Sequence, residues 1–217
     1  MDDVLEPLAR SPKLPQYLNE LQILMKNEAD ARQRFRDWLD EDKKAEFING
    51  EIILHSPAKY QHNNSRSYIS RLLGLYVDVK QIGKVQDEKA LISLSRNDYE
   101  PDISFWRQEI ASAFDEEQMV FPPPDLVIEI LSPSTEHKDR GVKFDDYATH
   151  GTMEYWIVDP VVQAIEQYIL DNGSYLLHKK HVVGELIESN VVAGFKMPVK
   201  AAFDRSANVA ASNALFA

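Results

Sequence analysis

The sequence predicts an α+β fold: a central mixed β-sheet flanked by helices, with an N-terminal helical segment and a C-terminal β extension. Three observations point there. Apolar residues recur at helical spacing early in the chain, through Leu18, Leu21, Leu24 and Met25. Asn49-Gly50 then joins two short β-like runs, as a tight hairpin turn requires. Strand-like runs dominate afterwards, with one helical segment among them. Helices, strands, one helix and strands again is not the strict alternation of a doubly wound sheet. A length of 217 residues suits one domain. Its core is expected over about residues 46–170, with 1–13 and 205–217 looser.

Each element has a local reason. The early leucines, and Phe35, Trp38 and Leu39 after them, read as core-facing stripes. Glu46 to Leu54 is the hairpin, closed by Ser56-Pro57. His62 to Val79 is a helix with Ile69, Leu72, Leu73, Tyr76 and Val79 on one face, and His62 falls near that face. Residues 89–94, 101–106 and 124–131 are strands. Asp139 to His150 is a helix stopped by Gly151. Strands follow over 155–160, 164–170 and 174–181, the last two joined by the turn Asp171-Asn172-Gly173. There is no internal repeat.

Composition excludes several functions. With 35 acidic and 24 basic side chains, the formal net charge is −11, which rules out an evenly basic nucleic-acid coat. Cysteine is absent, so disulfides, thiolate metal sites and cysteine nucleophiles are excluded. No basic-then-apolar leader opens the sequence, and no apolar run reaches the ~18 residues of a membrane span. These features predict a soluble, cytoplasmic protein. P-loop, dinucleotide and nucleophile-elbow patterns are missing.

The chemistry concentrates in two acids. Glu129 lies inside Leu126-Val127-Ile128-Glu129-Ile130-Leu131, a run apolar enough to be buried on both faces. An unpaired carboxylate there costs several kcal/mol, so a cation or a basic partner must compensate. Asp102 follows Pro101 and opens another strand; alone it reads as a strand-start turn residue. Two such carboxylates side by side repel unless a divalent ion is shared, and Mg²⁺ accepts one or two carboxylates with water and phosphate. Asp125 is a poorer partner, because four strand residues put it roughly 13 Å from Glu129.

Pro101-Asp102 followed by Glu129 in an apolar strand resembles the PD-(D/E)xK nuclease superfamily. The closer resemblance is to one of its bacterial families, short restriction-endonuclease-like proteins numerous in cyanobacteria and formerly a domain of unknown function. It rests on Glu46-Phe47-Ile48-Asn49-Gly50-Glu51, Ser56-Pro57 with His62, Pro101-Asp102-Ile103, Pro124 through Thr135, Asp139-Arg140 with Lys143 and Tyr147, and Gly151 with Glu154 through Pro160. One departure stands out: the superfamily lysine, two residues after the glutamate, is Leu131 here. The resemblance implies that Lys143, on the following helix, takes its place, with Tyr147 one turn on along the same face. The spacing equally fits a salt bridge from Lys143 to Asp139.

The resemblance also implies a restriction-endonuclease-like fold and a metal-dependent endonuclease that hydrolyses DNA. Mg²⁺, with Mn²⁺ as a substitute, would be held by Asp102, Glu129 and the backbone carbonyl of Ile130. Lys143 would orient or deprotonate a water, or pair with the phosphate, and its ammonium could be pushed toward neutrality. Glu46 and His62 are candidates near the metal. Arg66, Arg71, Lys138 and Arg140, with Lys179-Lys180, are candidate DNA contacts on an otherwise acidic chain. A homodimer is expected, since two symmetric sites cut both strands most simply. The alternative function is a catalytically silent module of this fold that binds nucleic acid or a protein.

Overall fold

The computed structural model describes residues 5–40 and 42–215. Its elements, in chain order, are α1 (Leu5–Ala9), α2 (Leu14–Trp38), β1 (Ala45–Ile48), β2 (Glu51–Leu54), α3 (Tyr60–Lys80), β3 (Gly83–Asp87), β4 (Leu91–Ser93), β5 (Asp98–Tyr99), β6 (Ile103–Arg107), α4 (Gln108–Ala111), β7 (Val120–Phe121), β8 (Leu126–Ile130), α5 (Glu136–Asp139), α6 (Val142–Thr149), β9 (Glu154–Asp159), β10 (Ala164–Asp171), β11 (Ser174–Val182), β12 (Leu186–Glu188), β13 (Lys196–Pro198), a 3-10 helix (Val199–Ala202) and α7 (Arg205–Ala214). No helix among the described residues is long and apolar enough to cross a membrane.

The α+β architecture stands as the sequence implies. A six-stranded sheet runs β11-β10-β9-β8-β6-β3. It is mixed, because β8 and β9 are parallel and the other neighbours antiparallel. A second sheet of five short strands runs β2-β1-β5-β4-β7. Strand β8 is buried on both faces, as its apolar run requires. Ile128 and Ile130 point to one cluster, with Ile69, Leu72, Leu73 and Val77 of α3. Val127 and Leu131 point to the other, with Tyr147 and Ala148 of α6. Glu129 alternates with Ile128 and Ile130, so it faces α6.

Both predicted turns form. Asn49 at φ 50° and Gly50 at φ 88° close the β1–β2 hairpin, pairing Ile48 with Glu51. Asn172 and Gly173 close β10–β11 in the same way, at φ 49° and 83°.

Four local expectations change. The helix predicted over 139–150 is two helices, α5 and α6, broken at Arg140-Gly141. A Cβ on Gly141 would lie 2.7 Å from the His137 carbonyl oxygen, so the close approach at the break requires glycine. Val79 is exposed rather than core-facing, because it lies about 200° around the helix from buried Val77. The segment expected to be loose at 205–217 contains α7; Asp204 caps it by accepting from the Ala207 N–H at 2.8 Å, and buried Asn208 ties it to Tyr68 and Ala201. The leucines of α2 do not reach the core: Leu18, Leu21, Leu24 and Met25 are exposed, and of that helix only Phe35 is fully buried. Met1–Val4 and the last two residues lie outside the described residues.

What anchors α2 is a buried ion pair. The Asp98 side chain is fully buried and accepts from Arg32 Nε at 2.9 Å and from Arg36 Nε at 3.0 Å. Arg32 also donates to the carbonyls of Leu94 and Asn97, each at 2.7 Å. The two guanidinium groups hold the Asp98 carboxyl below its ordinary value, although burial works the other way. Removing one partner of a buried pair exposes the other to the desolvation cost. Arg32→Ala is therefore expected to lower the free energy of unfolding by about 3 kcal/mol in urea titrations. Arg34→Ala, on the exposed side of the same helix, should stay within about 0.5 kcal/mol of wild type.

Candidate active site

Strand register brings the two predicted acids together. Antiparallel pairing of Ile103 with Ile128 sets Asp102 opposite Glu129. The Asp102 N–H donates to Glu129 Oε2 at 3.3 Å, and Asp102 Oδ2 accepts from the Ile130 N–H at 2.8 Å. Each carboxylate thus fastens the other strand's backbone. Asp125, in contrast, holds Arg107, accepting from its Nε at 3.0 Å and its backbone N–H at 2.8 Å.

Lys143 reaches the same place from α6. Its Nζ lies 3.0 Å from Glu129 Oε1, 2.8 Å from Glu46 Oε1 and 3.4 Å from Asp139 Oδ1. Both readings of its spacing therefore hold at once: it pairs with Asp139 one turn back and with Glu129 across the sheet. Leu131, at the superfamily's lysine position, packs into the apolar cluster on the Glu129 side of β8. The ammonium enters from the helix because the strand position is occupied by core packing.

The remaining predicted residues take supporting places. Glu46 is buried on β1 and accepts the Glu100 N–H at 3.0 Å. His62 opens α3 with Nε2 3.3 Å from Asp102 Oδ2. Tyr147 is fully buried one turn beyond Lys143, its ring centre 5.4 Å from that of Tyr99, and its hydroxyl has no hydrogen-bond partner among the described residues. The candidate DNA contacts are more scattered. Arg66 pairs with Glu88, while Arg140 pairs with Glu136 and Glu166 at 3.0 and 2.6 Å. Arg71 is turned to Asn208 of α7 at 3.0 Å, and Lys138 is half-buried on α5 beside the site. Lys179 and Lys180 pair with Glu185 and Glu166.

Two site residues escaped the sequence reading, and a third, Asp139, entered it only as a salt-bridge partner for Lys143. Asp139 is buried, and its Oδ1 has no hydrogen-bond partner among the described residues. Its only signal was the i,i+4 spacing to Lys143. His55, just after β2, sits 3.6 Å from Glu46 Oε2. Glu100 is buried, and its Oε2 is likewise unpartnered among the described residues. Neither carried a signal, because His55 meets Glu46 only across the β1–β2 hairpin and Glu100 only where β5 packs beside β1.

Electrostatics follow from four buried carboxylates around one ammonium. Burial pushes the Glu129 carboxyl well above the usual range; Lys143 opposes this, and Asp139, Asp102 and Glu46 add to it. Asp139 is raised for the same reasons. Burial would raise Asp102 too, but His62 and the Ile130 N–H hold it below its ordinary value. Burial alone would lower Lys143, yet Glu129, Glu46 and Asp139 hold it well above the ordinary lysine range. The expected push toward neutrality is thus reversed, because three carboxylates outweigh desolvation.

The donor set fits a hard divalent cation. Asp102 and Glu129 offer carboxylate oxygens on adjacent strands, and the buried negative charge exceeds what Lys143 balances. Among the described residues no group of three or more His, Asp or Glu side chains is arranged to ligate a metal. A two-carboxylate set is what Mg²⁺ commonly uses.

Sheet, register and buried acid pair define the class: a restriction-endonuclease-like nuclease fold. The chain belongs to the Uma2 family, "Putative restriction endonuclease", whose model matches residues 32–200. It is similar to "Uncharacterized protein sll1609" of Synechocystis sp., 34% identical over 128 residues, which is 58% of this chain and 72% of that one. Its fold is similar to that of "a putative nuclease belonging to DUF820" from Anabaena variabilis, with a TM-score of 0.66 and 21% identity over 80% of this chain and 96% of that one.

Glu100 yields a pH prediction. Burial and the adjacent Glu46 push its carboxyl up to about 7, against the pull of Lys44. Between the ordinary value and 7 the native state holds a proton that the unfolded state has lost, so stability falls as pH rises through that window. In metal-free buffer, the stability difference between Glu100→Gln and wild type should shift by about 3 kcal/mol in favour of the variant from pH 4.5 to pH 8. A difference that does not vary with pH in urea titrations rejects this account.

Proposed function

We propose that this chain is a metal-dependent endonuclease that hydrolyses DNA phosphodiester bonds, working in the cytoplasm as a homodimer. The observation that carries the reading is Lys143 Nζ 3.0 Å from Glu129 Oε1, where the superfamily's own lysine position is Leu131. Acid pair and lysine thus meet although the linear motif is broken. Mg²⁺ is the proposed cofactor, with Mn²⁺ as a substitute. Asp102, Glu129 and the backbone carbonyl of Ile130 would hold it. Once bound, such an ion lowers the pKa of a water and stabilises charge growing on the scissile phosphate.

The chain's own residues supply the rest. Lys143, held above the ordinary lysine range by three carboxylates in the metal-free site, pairs with a phosphate oxygen or orients the attacking water. Glu46 fixes the Lys143 ammonium at 2.8 Å, and His62 fixes Asp102 from the other side. Tyr147 supports Lys143 along α6. Arg66, Arg71, Lys138 and Arg140 are the proposed backbone contacts. Arg66 and Arg140 must exchange Glu88, Glu136 and Glu166 for phosphate, so binding weakens steeply as salt rises.

Plasmid cleavage with Mg²⁺ or Mn²⁺ tests this reading. Glu129→Gln should reduce cleavage at least about 100-fold. The same substitution should raise stability in metal-free buffer at neutral pH, since it removes a charge that burial disfavours. Equal cleavage by wild type and Glu129→Gln, or no cleavage by either, favours the catalytically silent module. Calorimetry with Mn²⁺ should show binding to wild type and none to Asp102→Ala.

A further inference from the structure

Helix α2 carries a face that the fold leaves uncovered. Its C-terminal half docks on the body through Arg32 and Phe35, and Glu28 pairs there with Arg96 at 2.7 Å. Upstream of Glu28 no residue of the helix is buried. Seven-residue steps put Leu14, Leu21, Glu28 and Phe35 on one side. The docking face therefore continues beyond the body as an apolar stripe of Leu14, Tyr17, Leu18, Leu21, Leu24 and Met25. Leu18 is 50% exposed, Leu21 52%, and Leu24 and Met25 47% each. An isolated helical stretch this short is marginal in water, and most helical stability comes from packing an apolar face.

We propose that Leu14–Met25 is a dimerisation arm that packs antiparallel against the same segment of a second copy. The occupant follows from the spacing. Leu14, Leu18, Leu21 and Met25 step by four, three and four residues, a two-heptad seam. About a two-fold axis between positions 19 and 20, Leu14 meets Met25 and Leu18 meets Leu21, with Tyr17 and Leu24 on the flanks of the seam. All four seam residues then face one another, as an isologous contact demands. Charge agrees: two copies at −11 repel, but this segment holds one charged side chain, Glu20, off the stripe. Covering six half-exposed side chains buries about 500 Å² per copy, near the lower bound for a specific interface. The arm also lies upstream of residue 32, where the family match begins, so it is an addition to the nuclease core. It gives a surface to the homodimer of the nuclease reading and rests on that reading for its purpose alone.

Sedimentation of the full chain from about 1 to 100 µM tests it. Wild type should reach the mass of two chains, and the doubly substituted Leu18→Glu, Leu21→Glu protein should remain at one chain with unchanged circular dichroism. Since the chain has no cysteine, register can be read directly. Leu18→Cys mixed with size-tagged Leu21→Cys should form a mixed disulfide in preference to either homodimeric one. A wild type that stays at single-chain mass overturns the proposal and leaves the stripe to a different protein. A glutamate variant that still dimerises overturns it too, and preferential homodimeric disulfides overturn the antiparallel register. Failure of plasmid cleavage by a wild type that does dimerise would instead strike the nuclease reading.

Discussion

One buried ammonium organises this molecule. Lys143 draws Glu46 from β1, Glu129 from β8 and Asp139 from α5 to a single point, within 3.4 Å of its nitrogen. Those residues span nearly a hundred positions of chain, and both sheets contribute. The cation offsets part of the cost of burying the three carboxylates, and they offset the cost of burying it. The folds of α5 and α6 around Gly141, the register of β6 on β8, and the closure of the β1–β2 hairpin over the site all serve that contact.

The same charge cluster is unbalanced, which is where stability and chemistry diverge. Burial first, and then four carboxylates against one lysine, leave Glu129 and Asp139 with their charged forms disfavoured. A protein selected for stability alone would replace one of them. Their retention in a dry, apolar setting is what a hard cation would exploit, and it explains why a neutral Gln at 129 is expected to stabilise the fold and silence it together. A second buried cluster, Asp98 with Arg32 and Arg36, has two cations for one carboxylate, and its work is mechanical: it clamps α2 to the second sheet.

Much of the site was legible because its residues break local rules. A glutamate in an all-apolar strand and an aspartate after proline at a strand start are conflicts that sequence alone exposes, and strand pairing resolved both. Asn49-Gly50 and Asn172-Gly173 were legible because positive φ admits few residues. The leucines of α2 misled for a physical reason: helical periodicity reports a face that wants covering, not what covers it. The helix break at Gly141 was invisible, because a glycine flanked by helical residues reads the same whether the chain bends or runs on.

By itself the sequence determined the α+β class, both hairpins and the conflict that brings Asp102 and Glu129 together, since each follows from steric or desolvation costs that act locally; Lys143 as a stand-in for the motif lysine came from the family resemblance. Only the tertiary structure decided that Asp139, His55 and Glu100 join the site, that Lys143 stays charged, and that the first turns of α2 stand clear of the body. Those outcomes depend on which distant surfaces meet. Burial and Coulomb forces act through space, and a linear sequence does not state those distances.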